Sequence, residues 1–225
     1  MIRKPYQIAT SQVVEETIVM RSRFICYLAP CNDGRQVKAL ISNIKLLHPQ
    51  ASHYCYAFLT GSPEYSQGYG FSDDGEPTGT AGKPMFAVLQ GSNIGELCAV
   101  VVRYFGGTKL GTGGLQRAYG VSVRQALLQL STRLKIPMVY KSLACQYNQV
   151  NDVIHTLAQC KSEIIEQKFT DHVEITLAVP DQQVNLLQQQ LFTLSAGEIA
   201  LNKAENNDND QIIRPEFTRI EKRAV

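Results

Sequence analysis

Two stretches of this chain concentrate the residue types that do chemistry. The first, Phe71-Ser-Asp-Asp-Gly-Glu-Pro-Thr-Gly-Thr-Ala-Gly-Lys-Pro84, gathers Asp73, Asp74 and Glu76 in one turn and ends on Lys83. The second, Val100-Val-Val-Arg-Tyr-Phe-Gly-Gly-Thr-Lys-Leu-Gly-Thr-Gly-Gly-Leu-Gln-Arg-Ala-Tyr119, runs from an apolar strand through a basic glycine turn into a basic helix. Glycines let a backbone approach a ligand closely. A helix start offers unpaired N–H groups at the positive end of its dipole. With Arg103, Lys109 and Arg117 around such a turn, the natural guest is an anion, a phosphate above all. Gly106, Gly107, Gly111, Gly113 and Gly114 shape the turn. Arg117 and Arg124, seven residues apart, share one helix face about 10 Å from each other, which suits successive phosphates of a nucleic-acid strand. Tyr104, Phe105 and Tyr119 would stack on bases if exposed.

The acidic turn has two readings. Its carboxylates could hold Mg²⁺ or do general acid–base work. Alternatively they fix neighbouring loops by pairing with Lys83 or Arg103, the role we favour, since Asp-Asp-Gly-Glu-Pro is ordinary turn composition. His53 and Cys55 alternate on one strand and face the same way, a poor geometry for a nucleophilic pair; His53 is expected to be structural or to touch a ligand. There is no P-loop and no Gly-x-Gly-x-x-Gly, so neither ATP nor dinucleotide chemistry is indicated. No cofactor and no metal are expected.

The net charge of +2 is too small to argue for nucleic acid, but its distribution is uneven. No Asp or Glu occurs from Leu97 to Asn151, whereas Arg103, Lys109, Arg117, Arg124, Arg133, Lys135 and Lys141 all do. Such segregation builds a phosphate-attracting field on a nearly neutral protein. The six cysteines form no Cys-x-x-Cys pair, and Met1–Met20 lacks an apolar signal core. The run Leu97–Val102 is too short to cross a bilayer. A cytoplasmic protein without membrane contact is expected.

The first half alternates strand and helix signals. Strands are expected at Thr17–Met20 and Phe24–Leu28, broken by Arg21-Ser22-Arg23, and at His53–Leu59 and Leu97–Val102. Asp33 is placed to cap a helix burying Val37, Leu40, Ile41, Ile44 and Leu47. A second helix follows Thr80, with Pro84 in its first turn. A third runs from Gly114 to about Leu130. Pro137 marks a boundary. Beyond it come strand Met138–Gln146, helix Gln149–Gln159 with Val150, Val153, Ile154 and Leu157 inward, and hairpin strands Ser162–Phe169 and His172–Val179. Helix Gln182–Leu194 and strand Gly197–Leu201 complete the βαββαβ order of a ferredoxin-like domain. The expected division is 1–136, an α+β domain; 137–204, ferredoxin-like; and 205–225, a polar linker and tail.

The chain resembles the IMPACT family. The resemblance spans roughly Pro5 to Leu201 and is carried by Ser22-Arg23-Phe24-Ile25, His53-Tyr54-Cys55, Ser72-Asp-Asp-Gly-Glu-Pro77, Gly79-Thr-Ala-Gly82 and Arg103-Tyr-Phe-Gly-Gly-Thr-Lys-Leu-Gly-Thr-Gly-Gly114. Gln116 is a mild departure from the small or apolar residue usual there. The resemblance implies a first domain like domain IV of elongation factor G and a second like its domain V. Eukaryotic relatives regulate translation by restraining activation of a starvation-sensing kinase through an activator protein on ribosomes. The resemblance therefore implies an RNA or ribosome connection, with a protein partner as a further expectation. The rival expectation is a small-molecule hydrolase or phosphoryl-transfer enzyme using the Asp73, Asp74 and Glu76 turn.

Overall fold

Segments of alternating and continuous apolar pattern become strands here because helices on either side complete their burial. The computed structural model describes residues 2–64 and 68–204. They fall into two units, one formed by Tyr6–Lys135 and the other by residues 2–5 together with 136–204. The expected tail, 205–225, lies outside the described residues.

The first unit is built on an antiparallel five-stranded sheet. Its strands are β2 (Val13–Val19), β3 (Ser22–Pro30), β4 (His53–Leu59), β5 (Tyr69–Ser72) and β7 (Leu97–Tyr104). Their spatial order is β2-β3-β7-β4-β5. A smaller sheet sets β1 (Tyr6–Ala9) between β6 (Ile94–Gly95) and β8 (Thr132–Lys135); these short strands carry too little pattern to be read from sequence. Helix α1 (Gly34–Leu47) covers one face of the large sheet, while α2 (Gly82–Gly91) and α3 (Gly111–Leu128) cover the other. Central β7 is consequently buried on both faces, Cys98, Val100 and Val102 toward α1 and Leu97, Ala99 and Val101 toward α2 and α3. That double burial explains its unbroken apolar run.

Several expected boundaries shift. The β2–β3 hairpin turns on two residues only, Met20 (φ 45°) and Arg21 (φ 66°), so Ser22 and Arg23 belong to the strand; two-residue turns of this hand match the twist of the strands they join. Asp33 caps α1, accepting the Gln36 N–H at 2.8 Å. Val37 and Ile44 are buried beneath α1, whereas Leu47 is 67% exposed. Helix α3 starts at Gly111 rather than Gly114, which puts three glycines inside its first turn.

The second unit comprises β9 (Met138–Cys145), α4 (Val150–Gln159), β10 (Glu163–Phe169), β11 (Val173–Pro180), α5 (Val184–Leu194) and β12 (Asn202–Lys203). The antiparallel order β10-β11-β9-β12 sets its fourth strand beside its first and its third between the first and second. This is the ferredoxin-like arrangement. Val153 and Leu157 of α4 and Leu187 and Leu191 of α5 close the core over Ile175 and Leu177. Ile154 points outward, and Thr156 takes the inward position with its hydroxyl donating to the Asp152 carbonyl. The final strand starts later than expected. Ala196 and Gly197, both at positive φ, first terminate α5, and the Gly197 N–H bonds back to the Phe192 carbonyl at 2.8 Å. Residues 2–5 join this unit through Arg3, whose backbone N–H and guanidinium both donate to Asp181.

Candidate functional site

Each acidic side chain of the Asp73–Glu76 turn has its own partners. Asp73 accepts the backbone N–H groups of Gly79, Ala81 and Gly82 at 2.8–3.0 Å, capping α2 from outside the helix. Burial pushes its carboxyl upward, but these three donors outweigh burial and hold it below the usual carboxylate range. Asp74, at φ 43°, accepts the Tyr54 N–H at 2.7 Å and faces Lys45 at 3.8 Å. Glu76 is buried, and its Oε1 accepts from Arg103 Nη1 at 2.5 Å and from the Tyr119 hydroxyl at 2.8 Å.

Around Glu76 the sheet and helix α3 close a polar cluster inside the apolar layer. Arg103 is in phase with Leu97, Ala99 and Val101 on β7, so alternation sends it under α3 rather than to the surface. Its guanidinium lies 5.4 Å from the Phe24 ring centre and 5.6 Å from that of Phe105. Tyr119 sits among Leu115, Ala118 and Val123 on the buried face of α3, edge-on to Phe24 at 5.2 Å. Burial drives its phenol far above the ordinary range, so it acts as a hydrogen-bond donor. His53 Nδ1 donates to the Asp74 carbonyl at 2.8 Å, and Nε2 lies 3.8 Å from Glu76. The Cys55 thiol donates to the Asp73 carbonyl, and burial pushes it up to about 12. Together these contacts clamp the acidic turn onto β4, β7 and α3.

The structure therefore corrects part of the anion surface expected from sequence. Arg103 is only 5% exposed and neutralised by Glu76, so it does not join the solvent-facing cations. Tyr104 lies on the opposite face of the sheet, bonded to His48 Nδ1 at 2.9 Å and covered by the Arg23 guanidinium at 5.5 Å. His48 also meets the Tyr27 hydroxyl at 2.6 Å, an arrangement for which the sequence offered no motif. Tyr119 is buried, so it is no stacking surface; Phe105 is 52% exposed. The loop-fixing partner of the acidic turn is Arg103, whereas Lys83 is exposed.

What remains outside is a basic rim. Lys109, Arg117 and Arg124 are exposed. None of them, nor Lys83, forms an ion pair among the described residues. Arg124 lies back along α3, with Nη2 3.4 Å from where a Cβ on Gly120 would sit, which brings it toward Arg117. Helix α3 starts without a side-chain cap and without an acid in its first turn, and Gly111, Thr112 and Gly113 are exposed there. Gly106 serves a different end: a Cβ on it would fall 2.0 Å from the Arg21 carbonyl carbon, so this glycine seats the loop against the β2–β3 turn. Gly107 (φ 84°) and Gly111 (φ 70°) supply the left-handed bends between strand and helix. No group of three or more His, Cys, Asp or Glu residues that could hold a metal ion occurs among the described residues, and no described helix is long and apolar enough to cross a membrane.

Fold and site define a two-domain α+β protein: a helix-covered sheet with a clamped acidic turn and a basic helix start, and a ferredoxin-like unit. Residues 20–127 match the Impact N-terminal domain, and residues 143–198 match a domain of unknown function, DUF1949. The IMPACT family member YigZ of Escherichia coli is 46% identical over 189 residues, covering 84% of this chain and 92% of the relative. The IMPACT family member YvyE of Bacillus subtilis is 33% identical over 190 residues, covering 84% of this chain and 87% of the relative. A crystal structure described only as that of a hypothetical protein aligns with a TM-score of 0.65 and 41% identity over 90% of this chain and 98% of its own. The chain belongs to the IMPACT family.

Proposed function

We propose that this protein is a cytoplasmic RNA- or ribosome-associated regulator of translation whose N-terminal domain binds phosphates through Lys109, Arg117, Arg124 and the opening of α3. One observation carries the reading. The start of α3 is uncapped and acid-free, with exposed cations before it and along it. Helix N–H groups and the dipole favour an anion there, and arginines spaced by two turns suit a repeating phosphate. A binding role is supported over a catalytic one by the acidic turn, whose three carboxylates are each committed to N–H, phenol or cationic partners.

The test is co-sedimentation of the purified protein with ribosomes across a salt series. Binding through phosphates falls with salt, by about one logarithmic unit of affinity per unit of log salt for each phosphate engaged. Reversing Lys109 and Arg117 to Glu, with folding checked by circular dichroism, is expected to weaken it by about ten-fold or more. Retention that ignores both salt and charge reversal would exclude the proposal.

A further inference from the structure

The outer edge of the large sheet carries an aromatic cluster that stays partly exposed among the described residues. We infer that Tyr69, Phe71 and Phe86 form a stacking platform for unpaired bases, with Lys83 holding an adjacent phosphate, so that the N-terminal domain takes single-stranded nucleic acid. This deepens the phosphate-binding reading above and rests on it.

The platform follows from register and helix spacing. Tyr69 pairs with Leu59 and Phe71 with Ala57, which places both rings on the sheet face that α2 covers. Phe86 of α2 meets them there, its ring centre 5.1 Å from Tyr69 at an interplanar angle of 30° and 5.7 Å from Phe71 at 35°. Strand β5 ends the sheet, and Tyr69 and Phe71 remain 59% and 45% exposed. The adjoining rings make one contiguous apolar patch rather than scattered exposed side chains, and contiguous patches mark interaction sites.

Charge favours a nucleic-acid strand as the occupant. Lys83 precedes Phe86 by three residues, so both lie on one side of α2, and Lys83 is exposed. The acids nearest in sequence each have other partners, Asp73 its backbone donors, Asp74 the Tyr54 N–H and Lys45, and Glu76 Arg103. Helix α2 also lies against α3. Gln116 reaches the Gly79 carbonyl at 3.4 Å, and Val88 lies 3.8 Å from where a Cβ on Gly120 would sit. Helix α2 thus stands between the rings and the arginine row, and a helix with its side chains is about 10 Å across. One strand can set phosphates on the cations and bases on the rings; a duplex keeps its base faces stacked away.

The chain has no tryptophan, so Tyr69→Trp places the only one in the platform, where long-wavelength excitation reads it apart from the remaining tyrosines. Its emission is expected to be quenched by oligouridylate or oligodeoxyuridylate but not by duplex RNA, and comparison of the two oligomers, which differ only in the sugar, tells ribose from deoxyribose. In the full chain, Tyr69→Ala with Phe71→Ala is expected to weaken single-strand binding by about ten-fold or more while changing duplex binding less than about two-fold. Both rings are substantially exposed, and circular dichroism checks that the variant folds. Unquenched emission on saturation with single strands would overturn the platform, and so would an equal loss for both nucleic acids; either result leaves the phosphate reading standing. If Lys109→Glu with Arg117→Glu changes binding of neither nucleic acid, the phosphate reading fails and takes the platform with it.

Discussion

The buried pair of Arg103 and Glu76 costs desolvation and is held by its neighbours, so removing either partner leaves a charge stranded in the apolar layer. Glu76→Ala is expected to destabilise the protein by about 3–5 kcal/mol in urea unfolding. Glu76→Leu combined with Arg103→Met, which removes both charges at similar volume, is expected to cost much less. Asp73 links the same turn to pH. Its folded pKa lies below its unfolded value, near 4 for an ordinary aspartate. Its contribution is therefore complete above that value and is lost as the pH falls through the lower folded pKa. Asp73→Asn is expected to unfold more easily at neutral pH and to lose less stability than the parent below about pH 5, as read from urea midpoints across the range.

At the scale of elements, glycines in one loop do unlike work. Gly106→Ala would drive a methyl into the Arg21 backbone, and a cost of about 2 kcal/mol or more is expected. Gly113 has open space around the same position and sits in the first turn of α3 at ordinary φ. Gly113→Ala is expected to raise stability by about 0.5 kcal/mol through a less flexible unfolded chain. Thermal denaturation of the two variants side by side checks both signs. A third element-level expectation concerns Arg3, which ties residues 2–5 to Asp181 and the Met138 carbonyl. Because this pair is half open to solvent, Arg3→Ala is expected to cost about 1 kcal/mol or less, seen as faster amide exchange near Asp181.

Across the whole molecule, a near-zero net charge coexists with a long stretch free of acids. The fold sorts its cations further. It withdraws Arg103 into the cluster around Glu76 and leaves Lys109, Arg117 and Arg124 outside. Field strength at the rim is thus set by three solvent-facing cations and a helix opening, without a large overall charge. Binding that depends on so few contacts is expected to show a modest salt slope, about one logarithmic unit of affinity per unit of log salt for each phosphate engaged. Each charge reversal should reduce that slope by about one.

Local pattern alone determined where the helices fall, though not the outward turn of Leu47 and Ile154, as well as the capping by Asp33, the buried run of β7, the βαββαβ order and the family blocks, because each depends on residues near one another in sequence. Tertiary structure decided the fate of Arg103. Its partner Glu76 lies 27 residues before it, Tyr119, the other donor to that carboxylate, lies 16 after it, and only the packing of α3 over β7 brings the three together. Strand alternation with Ala99 and Val101 signalled that burial, but the charge of the residue argued for solvent. Likewise, no strand is expected from sequence at Tyr69 and Phe71, which form a cluster only because β5 ends the sheet and α2 brings Phe86 against them. Chemistry was legible by type; which face each side chain takes is fixed by what packs on the other side of the sheet.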